Sequence, residues 1–161
     1  MSMKSIVSSK DKALINEAAK QELTAQNMYR YFSNCMRNRG YFGFSELFKN
    51  EAKDEGEHYQ IVADFMANLG DEVDLPVIPA QEYESDEVMD VFSNAFDAEV
   101  SLKEFYENMY ETTSDVSVKA FAMDMVKKQT NAVGEYYDHL AALDACKDNP
   151  AAILVYDGRF L

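Results

Sequence analysis

Ionisable side chains interrupt the apolar faces of the helices that this sequence predicts. Glu55 and His58 lie three residues apart in the stretch KDEGEHYQ, and Glu22 and Glu99 occupy comparable positions in two other stretches. Residues three apart on a helix point in nearly the same direction, so Glu55 and His58 can bind one metal ion. Three carboxylates and one imidazole, without a thiolate, form a ligand set that suits iron or manganese, with zinc as a competitor. The sequence therefore suggests a metal site built mainly from oxygen ligands.

The placement of these residues follows from reading each of four long segments in alternating steps of three and four, the spacing of one helix face. Every segment gives an apolar face that is interrupted near its middle. The interrupting residues are Glu22 in the first segment, Glu51, Glu55 and His58 in the second, Glu99 in the third and Gln129 in the fourth. A buried carboxylate is costly, and several at one level repel each other. A positive charge is therefore expected among them.

The four segments also predict the fold. They cover residues 10–38, 42–69, 85–113 and 115–146. Short joints link the first segment to the second and the third to the fourth, which predicts two antiparallel hairpins, and Asp115 is placed to cap the fourth helix. The stretch between the hairpins contains Pro76 and Pro79 and has no helical period, which predicts a long crossover. We expect an all-α fold in a single domain over residues 1–161.

Several other polar residues on these faces have ordinary structural explanations. Glu51 is expected at the flank of its helix face, where the carboxylate reaches water. His139 is expected to be partly exposed or hydrogen-bonded and not to bind metal. Tyr29, Tyr106 and Tyr136 are expected to be core aromatics with satisfied hydroxyl groups. None of these interpretations requires a metal.

The composition restricts the partners of the chain. Asp and Glu outnumber Lys and Arg by 29 to 15, which gives a formal net charge of −14. Such a charge repels nucleic acid and anionic lipid and attracts cations, so neither a nucleic-acid partner nor a membrane partner is expected. The sequence has no apolar run of about 18 residues and no secretory-signal pattern at its start. The two cysteines lack CxxC spacing and are expected to be buried, reduced thiols.

Four short motifs make this sequence similar to the ferritin family. They are ELTAQNMY with Glu22, DEGEH with Glu55 and His58, FDAE with Glu99, and KKQTNA with Gln129. The similarity covers nearly the whole chain, including the long crossover and a tail that resembles a short fifth helix beginning near Pro150. It implies a ferritin-like four-helix bundle with a crossover between helices two and three and a short fifth C-terminal helix. It also implies a homo-oligomeric cage of about 24 subunits.

The resemblance assigns roles to the interrupting residues. It implies that Glu22, Glu55 and His58 hold a first iron and that Glu55 bridges to a second. Glu99 would hold the second iron, with Gln129 beside it as a hydrogen-bonding or weakly ligating amide. The implied site is an intrasubunit di-iron centre similar to that of H-type ferritins.

Four neighbouring residues complete what the resemblance implies. Tyr29 matches a tyrosine that stands beside the irons and is able to supply an electron. Asp54 and Glu57 match acidic positions that pass or nucleate iron at the inner surface. Gly56 occupies the position at which bacterioferritins have a haem-ligating methionine, so no haem is expected.

The resemblance implies the function of an iron-storage ferritin with ferroxidase activity. Fe(II) would be oxidised by O2 or hydrogen peroxide at the di-iron centre, and Fe(III) would be stored as mineral inside the cage. One alternative is a di-iron oxidase or oxygenase acting on an organic substrate, which requires a substrate pocket beside the metals. Another is a non-enzymatic interaction bundle with structural carboxylates. The expected location is the cytoplasm, or a plastid if a transit peptide has been removed.

Overall fold

The computed structural model describes residues 4–161, whose regular elements are all helices. They are α1 (Ser9–Asn38), α2 (Phe42–Asn68), α3 (Val88–Thr112), α4 (Val116–Ala145), α5 (Pro150–Asp157) and a final 3₁₀ turn (Gly158–Phe160). No helix in this part of the chain combines the length and the apolar character needed to cross a membrane. The predicted all-α fold with a short fifth C-terminal helix is confirmed.

Side-chain caps begin three of the helices where the sequence predicts a start. Ser8 accepts a hydrogen bond of 3.1 Å from the backbone N–H of Asp11 at the start of α1. Asp115 accepts one of 2.7 Å from the N–H of Ser117 at the start of α4, which confirms its predicted role. Asn149 caps α5, and Pro150 follows at the first helical position. These caps satisfy amide groups that have no partner within the helix itself.

The start of α2 has no side-chain cap of its own, and the C-terminal tail supplies one. The carboxylate of Asp157 is 4% exposed and accepts a hydrogen bond of 2.6 Å from the N–H of Phe44. A negative charge at this position also complements the positive end of the α2 dipole. A Cβ at Gly43 would lie 1.8 Å from the carbonyl oxygen of Asp157, so only glycine allows this approach. The tail is therefore packed onto its own subunit.

The helices pair as two hairpins, α1 with α2 and α3 with α4, joined by the long irregular crossover. Gly40 has a φ of 85° in the tight turn between α1 and α2, a conformation that suits glycine. The third helix begins at Val88 instead of the predicted residue 85. Arg39 donates to Asp86 at 3.0 Å and to Glu87 at 2.7 Å, and so holds this end of the crossover outside the helix.

The core consists of two clusters of buried side chains. The aromatic cluster lies toward α5 and includes Tyr29, Phe32, Phe44, Phe48, Phe92 and Tyr136. The aliphatic cluster lies toward the α3–α4 turn and includes Ile15, Val62, Met66, Met109 and Met125. Glu22 on α1 falls between residues of the two clusters, as does Glu99 on α3. The polar positions therefore lie at one level, where the two clusters meet.

Candidate metal centre

Glu22, Glu55 and His58 form a group of potential ligands inside the bundle. Each offers one ligand atom, and these atoms all lie within 4.8 Å of one another. His58 Nδ1 is 3.6 Å from Glu22 Oε2 and 3.7 Å from Glu55 Oε2. The two glutamates are 0% and 2% exposed, and His58 is partly exposed. The structure therefore brings together three of the five residues that were predicted to bind metal.

The facing atoms of this group have no hydrogen-bond partner among residues 4–161. Glu22 Oε2, Glu55 Oε2 and His58 Nδ1 are each buried and unsatisfied. Leaving such groups unpaired is costly unless a ligand satisfies them. Two atoms bound to one metal at about 2.1 Å lie roughly 3.0–3.7 Å apart for ordinary coordination angles. The observed separations fit a metal ion held between the three side chains.

Burial and close neighbours strongly perturb the acid–base behaviour of the group. Burial raises the pKa of Glu55 well above its ordinary value; His58 opposes this rise, and Glu22 adds to it. Burial lowers the pKa of His58, but the carboxylates of Glu22 and Glu55 outweigh it and raise that pKa to about 10. A protonated imidazole therefore supplies positive charge to the group when no metal is bound. A metal ion would take over this charge and release the proton.

Glu99 lies beside the group and, unlike Glu22 and Glu55, has both carboxylate oxygens hydrogen-bonded. Tyr29 Oη donates to Glu99 Oε1, and Gln129 Nε2 donates to Glu99 Oε2 at 2.7 Å. Burial raises the pKa of Glu99, although these two hydrogen bonds oppose the rise. Gln129 Oε1 is buried and has no hydrogen-bond partner within the described part of the chain. Glu99 and Gln129 thus form a second polar pair next to the first three residues.

The buried tyrosines differ in how their hydroxyl groups are satisfied. Tyr106 Oη donates to Glu22 Oε1 at 2.6 Å, and Tyr29 donates to Glu99. The prediction of satisfied hydroxyl groups is confirmed for these two residues. It is wrong for Tyr136, whose buried hydroxyl has no hydrogen-bond partner in residues 4–161. The periodic sequence pattern places all three rings in the core but does not determine their partners.

Glu51 is a residue whose role the sequence pattern did not reveal. Its side chain is only partly exposed, and burial, with help from Glu99 and Glu135, raises the pKa of its carboxyl group to about 8. Glu51 therefore lies at the flank of its helix face, as predicted, but its carboxyl group is less well solvated than an exposed one. Glu51 lies four residues before Glu55, one helical turn away on the same face. This spacing is the sequence feature that indicates an inward-facing side chain.

The remaining predicted residues lie outside the ligand group. Asp54 and Glu57 are exposed on α2 and are not members of the group of three ligands. His139 is partly buried and shares a hydrogen bond of 2.7 Å with the hydroxyl of Tyr156, as the sequence predicted. Both cysteines are free; Cys35 is buried as predicted, whereas Cys146 is partly exposed, so the prediction of burial is wrong for that residue.

Comparisons with known proteins point to one family. A family model described as a ferritin-like domain matches residues 12–146. A bacterial non-heme ferritin of Staphylococcus epidermidis is 21% identical over 148 residues, which are 90% of this chain and 89% of that protein. The bacterial non-heme ferritin of Staphylococcus saprophyticus is 19% identical over 146 residues, covering 89% of this chain and 87% of that one.

Solved structures have the same fold. An open-pore ferritin from the archaeon Archaeoglobus fulgidus superposes with a TM-score of 0.92 at 20% sequence identity, over 96% of this chain and 97% of that one. A structure titled a humanized archaeal ferritin gives a TM-score of 0.91 at 19% identity, over 96% of this chain and 95% of that one. The likeness in structure establishes a shared fold, and the family match covers most of the chain.

Proposed function

This chain belongs to the ferritin family, and from that membership we propose that it oxidises Fe(II) to Fe(III) and stores the product as mineral in a homo-oligomeric cage of about 24 subunits. One observation carries the proposal. Glu22, Glu55 and His58 meet at mid-bundle with three facing, buried atoms that have no hydrogen-bond partner in residues 4–161. A purely structural bundle would gain stability by filling this place with apolar side chains. Iron in this proposal is the substrate and the stored product.

The first Fe(II) binds between Glu22, Glu55 and His58. Binding satisfies the three unpaired atoms and displaces the proton of the imidazole. Tyr106 holds the other oxygen of Glu22 and so fixes the direction in which that carboxylate points. Because the ligand atoms are already close together, binding requires little rearrangement of the hairpin formed by α1 and α2.

The second Fe(II) binds toward Glu99, and Glu55 bridges the two ions. This position differs because the oxygens of Glu99 already accept hydrogen bonds from Tyr29 and Gln129. A metal must replace at least one of these bonds, which weakens the net gain from binding. Gln129 can turn its unpaired Oε1 toward the ion as a weak ligand. A weakly held second ion suits a site that must release its product.

Oxidation then transfers electrons from the two ions to the oxidant, which is O2 or hydrogen peroxide. With O2, two Fe(II) and two protons give two Fe(III) and one hydrogen peroxide. Carboxylate oxygens favour Fe(III), which is the harder and more highly charged ion. Tyr29 is assigned as the tyrosine that stands beside the irons and is able to supply an electron, and its hydroxyl donates to Glu99. Hydrolysis of Fe(III) outside the site produces mineral.

Two exposed acids on α2 are assigned to the passage of iron. Asp54 and Glu57 lie on the solvent side of the helix that carries Glu55 and His58. Exposed carboxylates there can bind and release hydrated cations without a desolvation cost. The proposal includes no haem: a Cβ at Gly56 would lie 2.5 Å from Gln26 Nε2, so Gln26 occupies the space beside this position.

Aerobic addition of Fe(II) to the purified metal-free protein tests the proposal. We expect rapid oxidation, a cage-sized particle by light scattering, and hundreds of irons retained per particle after gel filtration. A monomer or dimer that oxidises Fe(II) but retains only the ions of the site would indicate instead an oxidase or oxygenase of organic substrates. A protein that does not bind a defined number of iron ions per subunit would indicate a structural bundle.

A further inference from the structure

A basic groove lies on the surface of the α1–α2 hairpin and has no role in the steps described so far. It has a volume of about 560 Å³ and is lined by three exposed cationic side chains, Arg30 from α1 and Lys49 and Lys53 from α2. Among its lining residues, all within residues 4–161, Glu57 is the only acid. The chain has 29 acidic and 15 basic residues, so this local excess of positive charge runs against its composition. We call this feature the α1–α2 groove.

The antiparallel pairing of the two helices brings the three cations to one level. Gln26 of α1 lies against α2 at Ala52, whose carbonyl oxygen accepts a hydrogen bond of 3.0 Å from Gln26 Nε2. Arg30 follows Gln26 by one turn of α1, and at that level the antiparallel α2 has run back toward Lys49. Lys49 and Lys53 are themselves one turn apart on the same face of α2, where like charges repel. The three positive charges therefore destabilise one another unless an anion joins them.

Carboxylates of the same chain neutralise only part of this charge. Lys49 pairs with Glu46 at 2.9 Å, one turn earlier on α2. Neither Arg30 nor Lys53 forms an ion pair with another residue among residues 4–161. Two of the three cations that line the groove thus have no counter-ion in the described part of the chain.

The floor of the groove adds a neutral hydrogen-bond donor. Gln26 Nε2 carries two N–H groups, and its bond to Ala52 uses one of them. Gly56 allows this amide to lie close to α2, since a Cβ there would be 2.5 Å from Gln26 Nε2. An oxyanion in the groove would therefore meet a donor that α2 already holds in place.

We infer that the α1–α2 groove binds an inorganic anion made of linked phosphate groups, such as diphosphate or triphosphate. Arginine and lysine bind phosphate oxygens through charge-assisted hydrogen bonds. A chain of phosphate groups can contact Arg30, Lys49 and Lys53 together, whereas a single phosphate group is small for a groove of this size. None of the lining residues is aromatic, so the base of a nucleotide would gain no stacking contact.

The net charge of the chain does not prevent this binding. The formal charge of −14 is spread over the whole chain, and at physiological ionic strength exposed charges further apart than about 8 Å are largely screened from each other. A short anion therefore responds mainly to the groove, where three cations outnumber one acid. A nucleic acid, in contrast, extends beyond the groove and is repelled by the acidic surface around it.

Calorimetric titration of the purified metal-free protein with inorganic triphosphate tests this inference. Because no iron is present to coordinate phosphate, the result is independent of the proposed function. We expect saturable binding at a single site in each subunit, with an affinity that falls as the salt concentration rises. Orthophosphate should bind more weakly, and adenosine triphosphate no more tightly than inorganic triphosphate. Tighter binding of adenosine triphosphate would contradict the assignment to an inorganic anion.

A pair of double variants locates the site. Arg30→Gln combined with Lys53→Gln removes the two cations that lack a counter-ion, and we expect triphosphate to bind about tenfold more weakly. Lys127→Gln combined with Lys128→Gln makes the same change in net charge at exposed positions on α4 and should bind as the wild type does. Thermal unfolding checks that both variants are folded. The inference would be overturned by the absence of saturable binding to the wild type, or by an equal loss of affinity in the two variants.

Discussion

The two hairpins of the bundle prepare the site in opposite ways. The α1–α2 hairpin supplies Glu22, Glu55 and His58, whose facing atoms are buried without partners. The α3–α4 hairpin supplies Glu99 and Gln129, which are hydrogen-bonded to each other, and Glu99 also accepts from Tyr29 of the first hairpin. One half therefore gains metal–ligand bonds at unpaired atoms when a metal ion arrives, whereas the other half must give up hydrogen bonds to bind it. The difference predicts a firmly held first ion and a second ion that exchanges readily.

The largest effect is expected from removing the negative charge of Glu55, the carboxylate that we propose binds both irons. Glu55→Gln keeps the volume of the side chain but replaces an anionic ligand, so we expect aerobic Fe(II) oxidation to slow by on the order of 100-fold or more. The metal-free variant should at the same time unfold at a higher temperature, because the cost of burying the Glu55 carboxylate next to those of Glu22 and Glu99 has been removed. Stopped-flow absorbance and calorimetry measure the two effects.

Glu46→Gln is the control for this variant. Glu46 lies on the exposed face of the same helix, where it pairs with Lys49 at 2.9 Å, and its loss removes the same charge at the surface. Both rate and stability should remain close to those of the wild type, since exposed pairs contribute little. Unchanged oxidation in Glu55→Gln would mean that the unpaired atoms of the α1–α2 hairpin do not bind the reacting iron.

The pH dependence of stability tests how strongly burial between the two hairpins disfavours a charge on Glu51 without metal. Burial, with smaller contributions from Glu99 of α3 and Glu135 of α4, raises the carboxyl pKa of Glu51 from 4.5 to about 8. Below 4.5 the group is protonated in both the folded and the unfolded states. As the pH rises toward 8, only the unfolded state ionises freely, so the stability of the folded state falls.

The Glu51→Gln variant isolates this contribution. We expect the metal-free wild type to lose about 2 kcal/mol of stability relative to Glu51→Gln between a pH near 5 and one near 9, after allowance for partial exposure. Urea unfolding of both proteins at the two pH values gives the difference. Parallel stability profiles would show that Glu51 is solvated, as the sequence pattern suggested.

The elements of the fold could be predicted because local chemistry determines them. Proline-free segments, the Asp115 cap and the period of the apolar faces locate the four long helices. The same period places Glu22, Glu55 and Glu99 at one level, which is enough to predict a buried polar site. The packing of Asp157 against Phe44 could not be predicted, since the two residues are 113 positions apart and no local pattern relates them.

The hydrogen bonds within the site could not be predicted from the sequence for a related reason. Periodicity determines which face a residue occupies but not which oxygen of a carboxylate finds a donor. Thus Tyr29 and Tyr136, both on apolar faces, differ in that only the first meets an acceptor. The depth of Glu51 likewise depends on how closely α4 approaches α2, a tertiary distance that the pattern does not contain.

A smaller effect is expected from changing the α3–α4 hairpin. Gln129→Leu removes the amide that donates to Glu99 Oε2 but leaves Glu22, Glu55 and His58 intact. We expect the first Fe(II) to bind with nearly unchanged affinity and oxidation to slow about tenfold, because the second ligand loses its support. Anaerobic titration calorimetry and stopped-flow absorbance separate these two quantities.

Lys128→Gln provides a comparison on the exposed face of the same helix and should leave both quantities unchanged. If Gln129→Leu abolished binding of the first ion as well, the two hairpins would act as one unit, and the contrast between a firm and an exchangeable position would be wrong.

The smallest effect is expected at Tyr106, which holds Glu22 from the side opposite the proposed iron. Tyr106→Phe removes the donor to Glu22 Oε1 and leaves both oxygens of a fully buried carboxylate without a partner. The metal-free protein should lose about 1–2 kcal/mol of stability, opposite in sign to the effect of Glu55→Gln. Oxidation should slow by only about threefold, since Glu22 stays in place and only its orientation is less fixed. A loss of activity as large as that of Glu55→Gln would instead indicate that Tyr106 contacts the reacting ions.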